Sequence, residues 1–222
     1  MDTLRPDGFV AAVVALKVGA SAKTRLGSFP DDLRRRLAWA MAVDTLHALT
    51  TAVDHVLVVG HAAELVDELA TVPGPMEIFD EPGAGLNAAL SHGSRRLRRQ
   101  GAGVVVACVG DLPALRTSSL QRILIASAGL TRSFVADQSG VGTTMLIARD
   151  TELRPHFEGG SAAAHEASGA EPLNPPQLTA VPDARQDVDT ERDLGAAYRL
   201  GLGAATVEVL RRADRLRSLR SA

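Results

Sequence analysis

The chain has 222 residues, 26 acidic against 24 basic ones, a formal net charge of −2 and only 3% aromatic residues. That length suits one α/β domain with a real core, and the near-balanced charge excludes a global field for nucleic acid or anionic membrane. Scarce aromatics argue against stacking single-stranded nucleic acid, and the single cysteine excludes an internal disulfide or a multi-thiolate metal site.

Phe9 to Leu16 (FVAAVVAL) is a continuous apolar run and predicts a buried parallel strand. It leads into a loop of small residues carrying three cations, Lys17, Lys23 and Arg25. A loop after the first strand of an α/β unit is a usual phosphate site, because small residues expose backbone N–H groups and cations offset charge. The loop matches neither a Walker P-loop nor a GxGxxG fingerprint, so a solvated basic loop is the competing reading. Pro30-Asp31-Asp32 opens a helix, with Leu33, Leu37, Ala40, Met41 and Ala48 forming its buried face and Trp39 and His47 off it.

His55 to Gly60 predicts a second strand, Ala62 to Ala70 a short helix and Met76 to Phe79 a third strand. Gly83, Gly85 and Asn87 then mark a turn opening a helix that runs to Arg99, a junction able to frame a nucleoside. The arginines at the far end of that helix, Arg95, Arg96, Arg98 and Arg99, read as a solvated basic terminus.

Val104 to Val109 is the most β-branched run, and it stops abruptly at Gly110-Asp111-Leu112-Pro113. Asp111 is thereby delivered to the carboxyl end of a central strand, where open α/β sheets bind ligands. A cap for the following helix is the alternative role. Thr117 or Ser118 caps that helix, which runs through Ala126 and is followed by strands over 133–136 and 142–148. Phe157 to Pro182 is long and irregular, the mark of a functional or a mobile loop. Asp187 and Asp189 alternate in an extended segment, so they point to one side, and Thr190 with Asp193 resembles a capping box. A basic amphipathic helix closes the chain, over about 204–220.

One Asp at a strand end and an Asp-x-Asp late in the chain suit a hard divalent cation, which takes few carboxylates and completes its shell with waters and phosphate oxygens. Cations after the first strand would face the same phosphates. This is a phosphoryl- or nucleotidyl-transfer site in outline.

In this order, the segments Leu16-Lys17 with Ala22-Lys23-Thr24-Arg25-Leu26, Gly85-Leu86-Asn87, Gly110-Asp111-Leu112-Pro113, Gly142-Thr143-Thr144, Phe157 to Ser161 with His165, and Asp187-x-Asp189-Thr190 resemble the phosphoenolpyruvate/2-phospho-L-lactate guanylyltransferases of coenzyme F420 biosynthesis. The resemblance runs from about residue 9 to 200. It implies a Rossmann-like, GT-A-like nucleotidyltransferase fold with a mostly parallel central sheet, in one domain spanning 1–222. It further implies that Asp111, Asp187 and Asp189 hold Mg²⁺, with Asp111 and Lys23 carrying the chemistry. Lys17, Lys23 and Arg25 would meet the GTP phosphates, Gly85 and Asn87 the nucleoside, and Thr144, Gly159 and Ser161 the phosphorylated three-carbon acid. The family often has Phe-Gly-x-x-Ser where this chain has Phe157-Glu158-Gly159-Gly160-Ser161, which sets a carboxylate beside the acceptor site.

The implied partners are GTP and phosphoenolpyruvate or a related acid, without nucleic acid or membrane, in a cytoplasmic monomer or homodimer. No apolar run of about 18 residues and no basic-then-apolar leader opposes that placement. Two rivals stand beside it. One is another phosphorylated acceptor on the same fold, a molybdopterin or a sugar phosphate; the chain lacks the GGxSxRMG-type loop usual for the former. The other is a nucleotide-binding module without catalysis, against which the three aspartates argue.

Overall fold

The computed structural model describes residues 8–16, 23–80, 85–174 and 180–216. Among these residues, seven strands form one sheet: β1 (Val10–Ala15), β2 (His55–Gly60), β3 (Met76–Asp80), β4 (Val104–Cys108), β5 (Arg132–Ala136), β6 (Thr143–Arg149) and β7 (Glu171–Pro172). Their spatial order is β3-β2-β1-β4-β6-β5-β7. The first four strands pair in parallel, while β6 runs antiparallel to both β4 and β5.

Period-two alternation explains why the central runs carry no polar residue. Val104, Val106 and Cys108 of β4 enter the core on one face of the sheet, and Val105 and Ala107 enter the core on the other. Burying a valine fully stabilises by about 1.5–3 kcal/mol, so a strand sealed on both faces has no place for a charge until it ends.

The helices α1 (Asp31–Ala52) and α4 (Thr117–Ala126) cover the first face, and α3 (Leu86–Arg99) covers the second. The predicted stripe of α1 is buried as expected, while Trp39 is partly buried against the core. On α3, Gly93 lies so close to the sheet that a Cβ would sit 2.5 Å from Val13 Cγ2 and 2.9 Å from Val59 Cγ2. The helix α2 (Ala62–Leu69) precedes β3.

Three further helices complete the chain: α5 (Ser161–Ala167), α6 (Glu191–Leu200) and α7 (Ala204–Arg212). A third apolar cluster joins Leu26, Leu33, Leu37 and Met41 to Val188, Leu194 and Leu210, packing the late part of the chain onto α1. Asp44 of α1 accepts the N–H groups of Ala205 and Thr206 at 3.0 and 2.9 Å, capping α7 from a distance. The closing helix therefore starts where expected; α7 spans Ala204–Arg212, and positions 217–220 of the expected helix lie outside the described residues.

Two local expectations change. The first turn of α4 is capped from outside, because Asp183 accepts from the Arg116 N–H and the Ser119 hydroxyl, each at 2.9 Å; neither Thr117 nor Ser118 serves as the cap. Arg98 is not a solvated end residue. Its guanidinium donates to the carbonyls of Ala102, Gly103, Ala148 and Thr151, sewing α3 to the sheet. Arg96 pairs with Glu77 and lies over the Phe79 ring at 5.2 Å.

Candidate active site

Because β6 is antiparallel to β4, with Cys108 opposite Met145, one edge of the sheet collects the carboxyl ends of β1 and β4 and the start of β6. Asp111 stands three residues past β4 on this edge. The turn that carries it is pinned from two sides: Leu112 N–H donates to Thr45 Oγ1 at 3.0 Å, and Val188 N–H donates to the Asp111 carbonyl at 3.2 Å. A Cβ at Gly110 would lie 2.4 Å from Leu16 Cδ2, so a larger residue there displaces the Leu16 side chain.

Lys23 reaches this turn from the loop after β1. Its ammonium donates to Asp111 Oδ2 and, at 2.9 Å, to Asp189 Oδ1. Burial works against the Lys23 charge, but Asp111 and Asp189 outweigh it and hold its pKa above the ordinary lysine value. Arg25 lies 3.5 Å from the other Asp189 oxygen, with its side chain 75% exposed and so screened by water. The Ser28 N–H donates to Glu191 at 2.9 Å, fastening the basic loop to the start of α6.

Asp187 and Asp189 flank Val188, which is fully buried in the third cluster, so the two carboxylates share the side away from it. The predicted capping box is present: Asp193 Oδ2 accepts from the Thr190 N–H at 2.8 Å, and Thr190 Oγ1 accepts from Asp193 N–H at 3.3 Å. Burial, then the charges of Asp111, Asp137 and Asp189, push the Asp187 carboxyl up to about 7. Asp137, in the turn between β5 and β6, is a neighbour that local sequence pattern did not reveal.

These groups border a cavity of about 420 Å³, whose lining includes Leu16, Lys23, Leu86, Asp111, Asp187 and Asp189. A larger hollow of about 880 Å³ lies at the opposite end of the sheet, between the end of α3 and the turn after β6. Chemistry rather than size decides between them, because the aspartates and Lys23 converge only on the smaller one.

The site can receive a hard cation. Among the described residues no three acidic, histidine or cysteine side chains are gathered to hold an ion unaided. Asp111 Oδ1, however, is a buried carboxylate oxygen with no hydrogen-bond partner, and burial, followed by neighbouring carboxylates, raises the Asp187 pKa. Oxygen donors with an unneutralised acceptor among them suit a hard divalent cation, whose remaining ligands are other oxygens. Lys23 supplies the positive charge between Asp111 and Asp189 here.

The remaining expected residues are placed unevenly. Lys17 lies outside the described residues. Gly85 precedes α3 with φ +84°, the left-handed region that favours glycine, and is exposed. Asn87 does not line the cavity. Its amide is spent on Phe157, donating to the carbonyl at 2.8 Å and accepting from the N–H at 2.7 Å. Thr144 is buried, with its hydroxyl donating to the Ala184 carbonyl at 2.7 Å. Its polar group is therefore tied to the segment that leads to Asp187.

Gly159 is exposed at φ +56° and Ser161 is buried at the start of α5. Glu158 is exposed on the rim of the cavity and itself adopts φ +100°, so the turn begins one residue before the glycines. His165 is neither a surface residue nor a free donor. It is fully buried, its Nε2 accepts from His156 N–H at 2.9 Å, and its Nδ1 therefore carries the proton toward Thr143 Oγ1 at 2.9 Å.

The family description "Guanylyl transferase CofC like" matches residues 10–216. The chain belongs to this guanylyl transferase family. It is 45% identical over 205 residues to the phosphoenolpyruvate guanylyltransferase of Streptomyces coelicolor, covering 90% of this chain and 95% of that one. It is 39% identical over 211 residues to the phosphoenolpyruvate guanylyltransferase of Mycobacterium leprae, covering 90% and 94%. Among solved structures, a nucleotide-diphospho-sugar transferase from Desulfovibrio desulfuricans superposes with a TM-score of 0.66 at 20% identity, covering 96% of this chain and 97% of that one. A nucleotidyl transferase from Methanothermobacter gives a TM-score of 0.56 at 20% identity, covering 86% and 97%. The guanylyl transferase chain thus carries the nucleotidyltransferase fold, a mostly parallel α/β sheet, as its sequence implied.

Proposed function

We propose that this enzyme transfers GMP from GTP to phosphoenolpyruvate and releases pyrophosphate, the activating step that the resemblance assigns to coenzyme F420 assembly. The observation that carries the reading is the convergence of Lys23, Asp111, Asp187 and Asp189 on one cavity at the carboxyl edge of the sheet. The high identity to phosphoenolpyruvate guanylyltransferases supports the choice of acceptor.

A phosphate oxygen of the acceptor attacks the α-phosphorus of GTP in line. The bond from that phosphorus to the bridging oxygen breaks, and its electron pair leaves with pyrophosphate. No protein nucleophile is needed, so the protein's work is to bring two anions together and to stabilise charge. Lys23, with Arg25 beside it, faces the triphosphate. Gly85 leaves room on the nucleoside side. The resemblance assigns Gly159 and Ser161 to the acceptor, together with Thr144, which would act through the carbonyl it holds. Asp111, Asp187 and Asp189 would hold Mg²⁺, which when bound supplies positive charge against the α-phosphate and the leaving group.

The test is pyrophosphate release by the purified protein with Mg²⁺ and GTP against phosphoenolpyruvate, 2-phospholactate and 3-phosphoglycerate, with the product's mass recorded. Release with GTP and phosphoenolpyruvate, giving a guanylylated acid, is expected. Release with none of the acids overturns the assignment.

A further inference from the structure

We infer that Asn87 is a positioning residue: its amide holds the Phe157–Ser161 loop against the first turn of α3 and so fixes the acceptor side of the site relative to the nucleotide side. The inference rests on the acceptor reading given above.

The contact spans 70 positions of sequence and uses both ends of one amide, Nδ2 to the Phe157 carbonyl and Oδ1 from the Phe157 N–H. A planar amide presents a donor and an acceptor side by side, reproducing the pairing a neighbouring strand would offer. Aspartate retains only the acceptor half, and alanine retains neither.

The loop needs such a partner because its backbone is unfavourable on both sides of Phe157. Arg154 has φ +49° and Glu158 φ +100°, in the left-handed region that non-glycine residues rarely occupy. Each such residue costs about 1–3 kcal/mol and persists only where its surroundings over-determine it. The surroundings do so here. Phe157 is buried, with the His165 ring edge-on at 5.0 Å, and His165 holds the preceding N–H. Beyond the glycines, the Ala162 N–H donates to the Val141 carbonyl at 3.1 Å. Asn87 adds hydrogen bonds to the apolar packing of Phe157 in the cluster that holds Leu90 and Leu97 of α3, and its neighbour Leu86 lines the cavity.

An amide facing the nucleoside directly predicts the opposite behaviour, so the two roles separate cleanly. In Asn87→Ala, the Phe157 amide should lose at least about tenfold of its hydrogen-exchange protection, and the KM for phosphoenolpyruvate should rise about tenfold or more. The dissociation constant for GTP, measured by equilibrium titration, should stay within about twofold. Asn87→Asp, which keeps the bond from the Phe157 N–H, should fall between the wild type and Asn87→Ala in both exchange and KM. A weakened GTP affinity with unchanged acceptor KM, or unaltered exchange at Phe157 in both variants, overturns the inference. Equal losses for both substrates also overturn it. If the wild type used no phosphorylated acid at all, the functional reading would fall, while exchange at Phe157 would still decide whether Asn87 holds the loop.

Discussion

The ammonium of Lys23 donates to the carboxylate of Asp111 across 88 positions of sequence. One partner comes from the loop after β1 and the other from the turn after β4, adjacent strands whose carboxyl ends share an edge. The pair, with Asp189 on its other side, sets the charge balance of the site before any substrate arrives.

Replacing that ammonium should therefore have two opposite effects. Lys23→Met should weaken GTP use by at least about tenfold, because a buried cation is lost from the phosphate side. Without nucleotide, the same variant should bind Mn²⁺ more tightly than the wild type, since Asp111 and Asp189 lose their internal counter-charge. Electron paramagnetic resonance titration of Mn²⁺ checks the second effect independently of turnover; weaker Mn²⁺ binding would contradict it.

Asp111→Asn keeps the shape of the side chain and removes its charge. Turnover should fall by about 10²-fold or more, the scale of losing one group that stabilises transition-state charge. The circular dichroism spectrum should be unchanged, because the turn remains pinned by Thr45 and Val188. The double variant Asp111→Asn with Asp187→Asn should lose far less than the product of the single losses, as residues of one site do. Multiplicative losses would mean the two aspartates act apart.

Thr144→Val is nearly isosteric and removes the donor to the Ala184 carbonyl. Stability should drop by about 1–3 kcal/mol in urea denaturation, the cost of an unsatisfied buried acceptor. Turnover should drop with it, since Ala184 leads to Asp187, and neither KM should change alone. A raised acceptor KM at unchanged stability would instead place the hydroxyl on the substrate.

His165 makes stability depend on pH. Burial, with the charges of His156 and Arg132, lowers its pKa from 6.5 to about 4 in the folded protein. Below pH 6.5 the unfolded chain takes up a proton that the folded chain refuses, so stability falls as the pH falls. The slope is about 1.4 kcal/mol per pH unit, levelling near pH 4 after a loss of about 3 kcal/mol. Urea denaturation from pH 7.5 to 4.5 should show this component in the wild type and its absence in His165→Asn.

What the sequence disclosed follows from the range of each signal. The runs at Val10–Ala15, Val56–Val59 and Val104–Cys108 were legible because burial on both faces leaves only apolar residues. The Thr190–Asp193 box was legible because its partners are three residues apart. The direction of β6 was not, since alternation is the same in parallel and antiparallel strands. Asn87 with Phe157, Asp44 with α7, and Arg98 with its four carbonyls were hidden for one shared reason. Each joins a polar side chain to backbone supplied by another segment, and no local pattern records it. A polar residue at a glycine turn reads as a nucleoside contact whether or not its amide also holds backbone, and Arg98 looked solvated because its partners lie in the following turn and in and just after β6.

Cys108 closes β4 with its thiol sealed in the core, and burial, then the nearby Asp111 charge, pushes its pKa up. A thiolate is the reactive form, so the folded enzyme should be inert to alkylating reagents. As the chain's single cysteine, it makes the protein its own sensor. Labelling at Cys108 reports the opening of the strand that carries Asp111, and slower alkylation in the presence of a ligand would measure how strongly that ligand braces the sheet beneath it.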